Sequence, residues 1–241
     1  MGRAFEVRKV AMGKTAAQKS KLYAKYGKEI YMAAKNGVPD PELNQSLKRI
    51  IEKAKKDQVS ADVIKRAIDK AKGGSDDNYS EARYEGFGPG NSLFIVECLT
   101  DNVNRTIAEV RNCFTKTGGK LGVSGSVLHQ FNHQAVFTVP GLNEDEVLEI
   151  LVLNDVDVTD IETDEEGVTI LGEAKDFNQI RTAFQENNPD VDFVTEEIMW
   201  LPLMETELSD EEEKQQFDRL MDMLNELDDV QEVYHNVKQA E

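Results

Sequence analysis

The sequence predicts an α+β protein: an N-terminal three-helix domain followed by two ferredoxin-like α/β domains, one inserted in the other. Three observations carry this expectation. The first 75 of 241 residues show only helical periodicity and are basic, with 18 Lys and Arg against 8 Asp and Glu, whereas the remaining 166 carry 10 against 38. Beyond them, short β-prone runs alternate with amphipathic helical stretches. Between Ala135 and Met199 the alternation has the order βαββαβ, the split-βαβ signature. Opposite net charge in two segments speaks of partners rather than fold, and marks a basic binding head on an acidic body.

Residues 1–13 lack periodicity and read as a basic arm holding Arg3, Arg8 and Lys9. A helix is expected from about Thr15 to Lys35. Asp40 offers an N-cap carboxylate, with Pro41 at the first helical position, for a second helix through Lys56. Ser60 caps a third over Ala61–Lys72, closed by Gly73 and Gly74. The stretch SDDNYSEARYEG, residues 75–86, reads as a polar linker. Ser92–Leu99 and Ser126–Phe131 are expected strands around a helix, Arg105–Thr117, whose Ile107, Val110, Cys113 and Phe114 share one stripe.

The second unit runs strand Ala135–Val139, helix Glu144–Leu153, strand Asp157–Glu162, strand Val168–Glu173, helix Asp176–Glu186 and strand Asp192–Met199. An acidic helix, Ser209–Leu227, and a strand, Val230–Tyr234, close the chain. The flanking pieces supply the elements of one more such unit. The expected domains are therefore 1–75, then 80–134 with 205–241, then an inserted 135–204.

Composition narrows function. Hydrophobic residues at 39% suffice for ordinary cores, and no apolar run approaches the roughly 18 residues a bilayer span requires. The start, MGRAFEVRKVAMGK, has no apolar core of a secretory signal. Cys98 and Cys113 lack CxxC spacing and read as reduced, buried thiols. A cytoplasmic protein with no membrane contact is expected.

No catalytic set is visible. His129, His133 and His235 are scattered, without a Ser-His-Asp or HExxH arrangement. The segment Tyr84–Gly90 precedes a strand instead of opening a helix, and lacks the spacing of a phosphate loop. The acids of Asp155–Glu166 alternate as on a solvated strand, without calcium-loop order. The expectation is a non-enzyme with no metal and no cofactor.

The first helix is the sharpest physical feature. At about 100° per residue, Lys14, Lys21, Lys25, Lys28 and Lys35 fall within roughly 80° of arc, while Tyr23, Tyr26, Ile30 and Ala33 lie opposite. A lysine face is usually a solvated one. Here few acids interleave, and the arm adds cations. A helix and an arm of this kind track phosphates by charge, releasing counterions. The expected nucleic-acid contacts are Arg3, Arg8, Lys9, Lys14, Lys21, Lys25, Lys28 and Lys35, with DNA or ribosomal RNA as partner. No set aimed at base edges is identifiable. A secondary contact surface is expected where the loops 101–106 and 120–126 share one end of their module, carrying Arg105, Lys116 and Lys120.

Tyr84-EGFGPG, Thr100-DNVNRT, Arg111-xxFxKxGGxLGxxGSV and Asp228-DVQEVYHN closely resemble the YebC/PmpR family over almost the whole chain. The opening, with Phe5 and Glu6, then Lys21-LYAKYGKEIYMAAKNG and Asp40-PELN, looks like the YeeN-like branch. The resemblance implies a helical domain and two α/β domains, and no established catalytic set. It implies either a DNA-binding transcriptional regulator or a ribosome-associated translation factor that contacts RNA and relieves stalled elongation; the acidic body, at a net −28, suits basic ribosomal proteins as partners in the second case.

Overall fold

The computed structural model describes residues 16–74 and 78–238, with side chains from Lys19 on. Helices α1 (Ala16–Lys35), α2 (Gln45–Lys56) and α3 (Ala61–Lys72) form the head. Tyr26, Ile30, Tyr31 and Ala34 of α1 close on Leu47, Ile51 and Ala54 of α2 and on Ile64 and Ala67 of α3. The aromatic side of α1 is thus the core side, as its periodicity predicts.

The body consists of β1 (Ser80–Phe87), β2 (Leu93–Thr100), α4 (Val103–Lys116), β3 (Lys120–Leu121), β4 (Phe131–Val139), α5 (Glu144–Leu153), β5 (Asp160–Asp164), β6 (Gly167–Glu173), α6 (Phe177–Asn187), β7 (Thr195–Pro202), α7 (Glu211–Glu226) and β8 (Val230–His235). Two four-stranded antiparallel sheets result, with orders β3-β1-β2-β8 and β5-β6-β4-β7. The second is the ferredoxin-like arrangement.

Strand alternation explains the layering. Phe94, Val96 and Cys98 of β2 face α4 and α7, whereas Ile95 faces the other sheet. Ala135, Phe137 and Val139 of β4 likewise face α5 and α6, and Val136 faces back. The sheets therefore pack on each other through Ile95, Val136, Leu171, Met199 and Leu201, with helices outside both. Cys98 and Cys113 are free and buried in the first module, and burial pushes the Cys98 thiol up to about 12. Among the described residues no helix is long and apolar enough to cross a membrane.

Four expectations are corrected. The second helix starts at Gln45, because Asn44 caps it: Leu47 N–H donates to Asn44 Oδ1 at 3.0 Å, and the Asn44 amide donates to the Ala33 and Val38 carbonyls. Asp40 instead turns the preceding loop by accepting from Glu42 N–H. Residues 80–87 are a strand, not linker; Ala82 and Tyr84 supply its apolar face, and at Gly86 the Phe114 ring leaves no room for a Cβ.

Residues 126–130 are not a strand, and Phe131 instead opens β4. Glu85, 5% exposed, draws the N–H groups of Gly125, Val127 and Leu128 onto its carboxylate, so that segment's donors are withdrawn from any ladder. Finally, the loops 101–106 and 120–126 lie at opposite ends of their module. Ser80 pairs with Thr100, while Phe87 at the far end of β1 pairs with Lys120.

Candidate nucleic-acid interface

Arg3, Arg8, Lys9 and Lys14 lie outside the described residues. The remaining stripe does not face open solvent. Lys21 donates to the Glu226 carbonyl at 2.7 Å. Lys25 donates to the Gln231 carbonyl and meets Glu232 Oε1 at 2.5 Å. Lys28 donates to the Asp228 carbonyl at 2.9 Å and to Asp229 Oδ1 at 2.8 Å. Three lysines spaced four and three residues apart on α1 therefore meet the corner between α7 and β8. Lys35, at the end of the helix, instead lies over the Tyr31 ring and within 3.4 Å of Asn78 Oδ1.

Asp229 anchors this corner. Its side chain is 5% exposed, and its Oδ2 accepts from Arg105 at 2.6 Å, Thr106 at 2.8 Å and Thr100 at 2.9 Å. Burial alone would raise its pKa, but these bonds and Lys28 outweigh that and hold the carboxyl well below the usual range. The motif Thr100-DNVNRT is thus a clasp on Asp229, and Asn102 within it caps α4 by accepting from Arg105 N–H. Arg105, ion-paired with both Asp101 and Asp229, serves this clasp. Lys116 is exposed at the other end of α4, and Lys120 lies over the Phe87 ring. Arg105, Lys116 and Lys120 do not converge.

A second set of head cations, which the sequence does not single out, docks on the inserted module. Lys53 meets Glu197 of β7 at 2.8 Å, Lys56 meets Asp192 at 2.6 Å, and Arg49 lies 4.7 Å over the Phe177 ring. Glu52 of α2 answers Arg181 of α6 at 2.8 Å; Arg181 Nε also faces Glu196 at 2.7 Å, in a charge contact whose direction misses a hydrogen bond. The recurrence of Arg49, Lys53 and Lys56 at helical spacing, away from Leu47, Ile51 and Ala54, is the signal that marks this face.

Where head and both modules meet, charges concentrate. Burial pushes the Glu29 carboxyl upward; Lys25 and Lys53 pull it back, while Glu232 and Glu197 add to the rise. The head's outward surface carries Lys48 and Lys55 of α2 and Lys65, Arg66 and Lys72 of α3, all exposed.

Comparison with known proteins gives two family matches. Residues 3–74 match the model of the TACO1/YebC protein N-terminal domain, and residues 79–237 match that of the TACO1/YebC second and third domain. A probable transcriptional regulatory protein of Acholeplasma laidlawii is 62% identical over 237 residues, covering 98% of each chain. One of Alteromonas mediterranea is 59% identical over 236 residues, again covering 98% of each. The crystal structure of a conserved hypothetical protein from Aquifex aeolicus superposes with a TM-score of 0.78 at 35% identity, covering 95% of this chain and 93% of that one.

Proposed function

The chain belongs to the TACO1/YebC family, and from that premise we propose that it is a non-enzymatic, DNA-binding regulator of transcription in the cytoplasm. Its relatives are named as probable transcriptional regulatory proteins. The observation that carries the reading is the α1 stripe. Lys21, Lys25 and Lys28 already hold a row of carbonyl and carboxylate oxygens at hydrogen-bond distance. Phosphate oxygens along a nucleic-acid backbone present the same chemistry, with more charge. Arg3, Arg8, Lys9, Lys14 and Lys35 extend the contact in this reading.

A second reading, a translation factor on the ribosome, is favoured by one feature. The 166 residues after the head carry 38 acids against 10 bases, which repels an enveloping DNA but suits basic ribosomal proteins. The two separate in cells. The tagged protein is cross-linked and its chromosomal fragments sequenced, while lysate is sedimented with and without RNase. Enrichment at discrete chromosomal sites is expected. Co-sedimentation with ribosomes that RNase abolishes, with no chromosomal enrichment, replaces DNA by the ribosome as target.

A further inference from the structure

The stripe nominated for nucleic acid is already occupied, by an anionic corner of the body. Glu226 is the last residue of α7, so its carbonyl belongs to the negative end of that helix. Asp228, Asp229 and Glu232 follow within six residues. All three N–H groups of Lys28 have acceptors here: the Leu99 carbonyl at 3.5 Å, the Asp228 carbonyl and Asp229 Oδ1. While this contact stands, the Lys28 ammonium is held by the Asp228 carbonyl and Asp229 instead of a phosphate.

The contact is also of a kind that can open. Each apolar cluster of the described residues lies within the head or within the body, apart from Tyr79, which directly precedes β1 and packs on the head, so no shared hydrophobic core fastens the two. Lys25, Lys28, Lys53 and Lys56, and Glu52 with Arg181, form ion pairs across the junction, Lys21 donates to a carbonyl, and Arg49 lies over the Phe177 ring. Polar interfaces between domains separate far more readily than hydrophobic ones.

We infer that the α7–β8 corner is an intramolecular competitor for the lysine stripe: the body holds the head closed by imitating a phosphate backbone, and nucleic acid binds by displacing it. This rests on the stripe being the nucleic-acid surface. Apparent affinity is then the intrinsic affinity of the open head multiplied by the fraction open. Specific partners gain a gate, and weak polyanions are excluded.

The test uses the full chain, spin-labelled at Ser46→Cys on α2 and Gln215→Cys on α7. Both positions are exposed, and the native thiols are buried. The distance between labels is measured alone, with saturating duplex DNA of mixed sequence, and with single-stranded RNA. Lengthening on saturation by either probe is expected. In parallel, Glu232→Gln should tighten binding about threefold to fivefold by raising the open fraction. Glu165→Gln, which neutralises an exposed acid on the β5–β6 turn, should not. Tight binding with an unchanged distance overturns the competition while leaving nucleic-acid binding intact. Failure of both probes to bind at low salt removes the functional reading and this inference with it.

Discussion

Lys28 of the first helix reaches Asp229, two hundred and one residues later, at 2.8 Å, and the carboxylate it meets is 5% exposed. Of the described ion pairs between head and body, this one has the most buried carboxylate. Lys56–Asp192, with side chains 53% and 83% exposed, contributes at most about 1 kcal/mol. Removing one partner of a buried, hydrogen-bonded pair costs about 3–5 kcal/mol, because the other partners are stranded. Asp229→Ala removes the one carboxylate shared by Lys28, Arg105 and two buried threonine hydroxyls, although Lys28 keeps the Asp228 carbonyl and Arg105 keeps Asp101. A loss of that size is expected in denaturant unfolding, against less than about 1 kcal/mol for Asp101→Ala, whose side chain is 54% exposed.

The same carboxylate sets an acid limit. Its pKa in the folded protein lies well below the unfolded value of about 3.9, so its stabilisation is complete above that value. As pH falls through the unfolded value towards the folded one, the stabilisation is lost. Unfolding midpoints measured across the acid range should show a steep decline for the native protein. Asp229→Asn should start lower and decline less, since the titrating group is gone.

How much of this is legible in sequence follows from where each signal resides. The apolar periods of Tyr26–Ile30 and of Phe137–Val139 are local, so the head helices and the inserted module can be read directly. The strand 80–87 cannot. Glu81, Arg83 and Glu85 do alternate with Ala82, Tyr84 and Gly86, but a small alanine and a glycine give that apolar face little hydrophobic weight, and Gly86 is dictated by Phe114, which lies on α4. The lysine stripe is legible as a face of α1, but the surface opposite it is not. Asp229 and Glu232 meet that face only after some two hundred residues have folded between them. Lys53 and Lys56 have the spacing of a docking face, but Glu52 and Asp57 beside them give α2 a mixed charge that hides it.

Glu85 should govern the loop that follows β3. Burial raises its pKa, but three backbone N–H bonds and the charge of Arg83 outweigh it and lower the pKa, so the group is held as a carboxylate. Glu85→Gln sets an amide NH₂ among those donors and should cost about 1–3 kcal/mol. Hydrogen exchange at Gly125, Val127 and Leu128 should quicken ahead of the rest of the module. Unchanged protection at these three amides would refute the assignment of Glu85 as the loop's anchor.

Two glycines should respond oppositely to alanine. At Gly86 an added Cβ would overlap the Phe114 ring in the packed first module, and the overpacking should cost about 1–3 kcal/mol. Gly27 lies inside α1 with nothing within 4 Å of such an atom. There Gly27→Ala should stabilise by about 0.5–1 kcal/mol, through lower unfolded-state freedom. Thermal unfolding of the two variants checks both signs.

Salt dependence separates the inner stripe from the outward lysines. Removing one lysine–phosphate interaction lowers the slope of log affinity against log salt by about 0.9 for duplex DNA. Lys21→Gln with Lys25→Gln should therefore reduce the slope by nearly two, while leaving Lys28 in place to hold Asp229. Lys48→Gln with Lys55→Gln changes charge equally on the head's outward side, where both lysines are exposed. If the stripe tracks the backbone, this second pair shifts the slope little. Equal slopes for native and Lys21/Lys25 variants, with a fall in the Lys48/Lys55 variant, would move the nucleic acid to the outward face and leave α1 with a purely structural role.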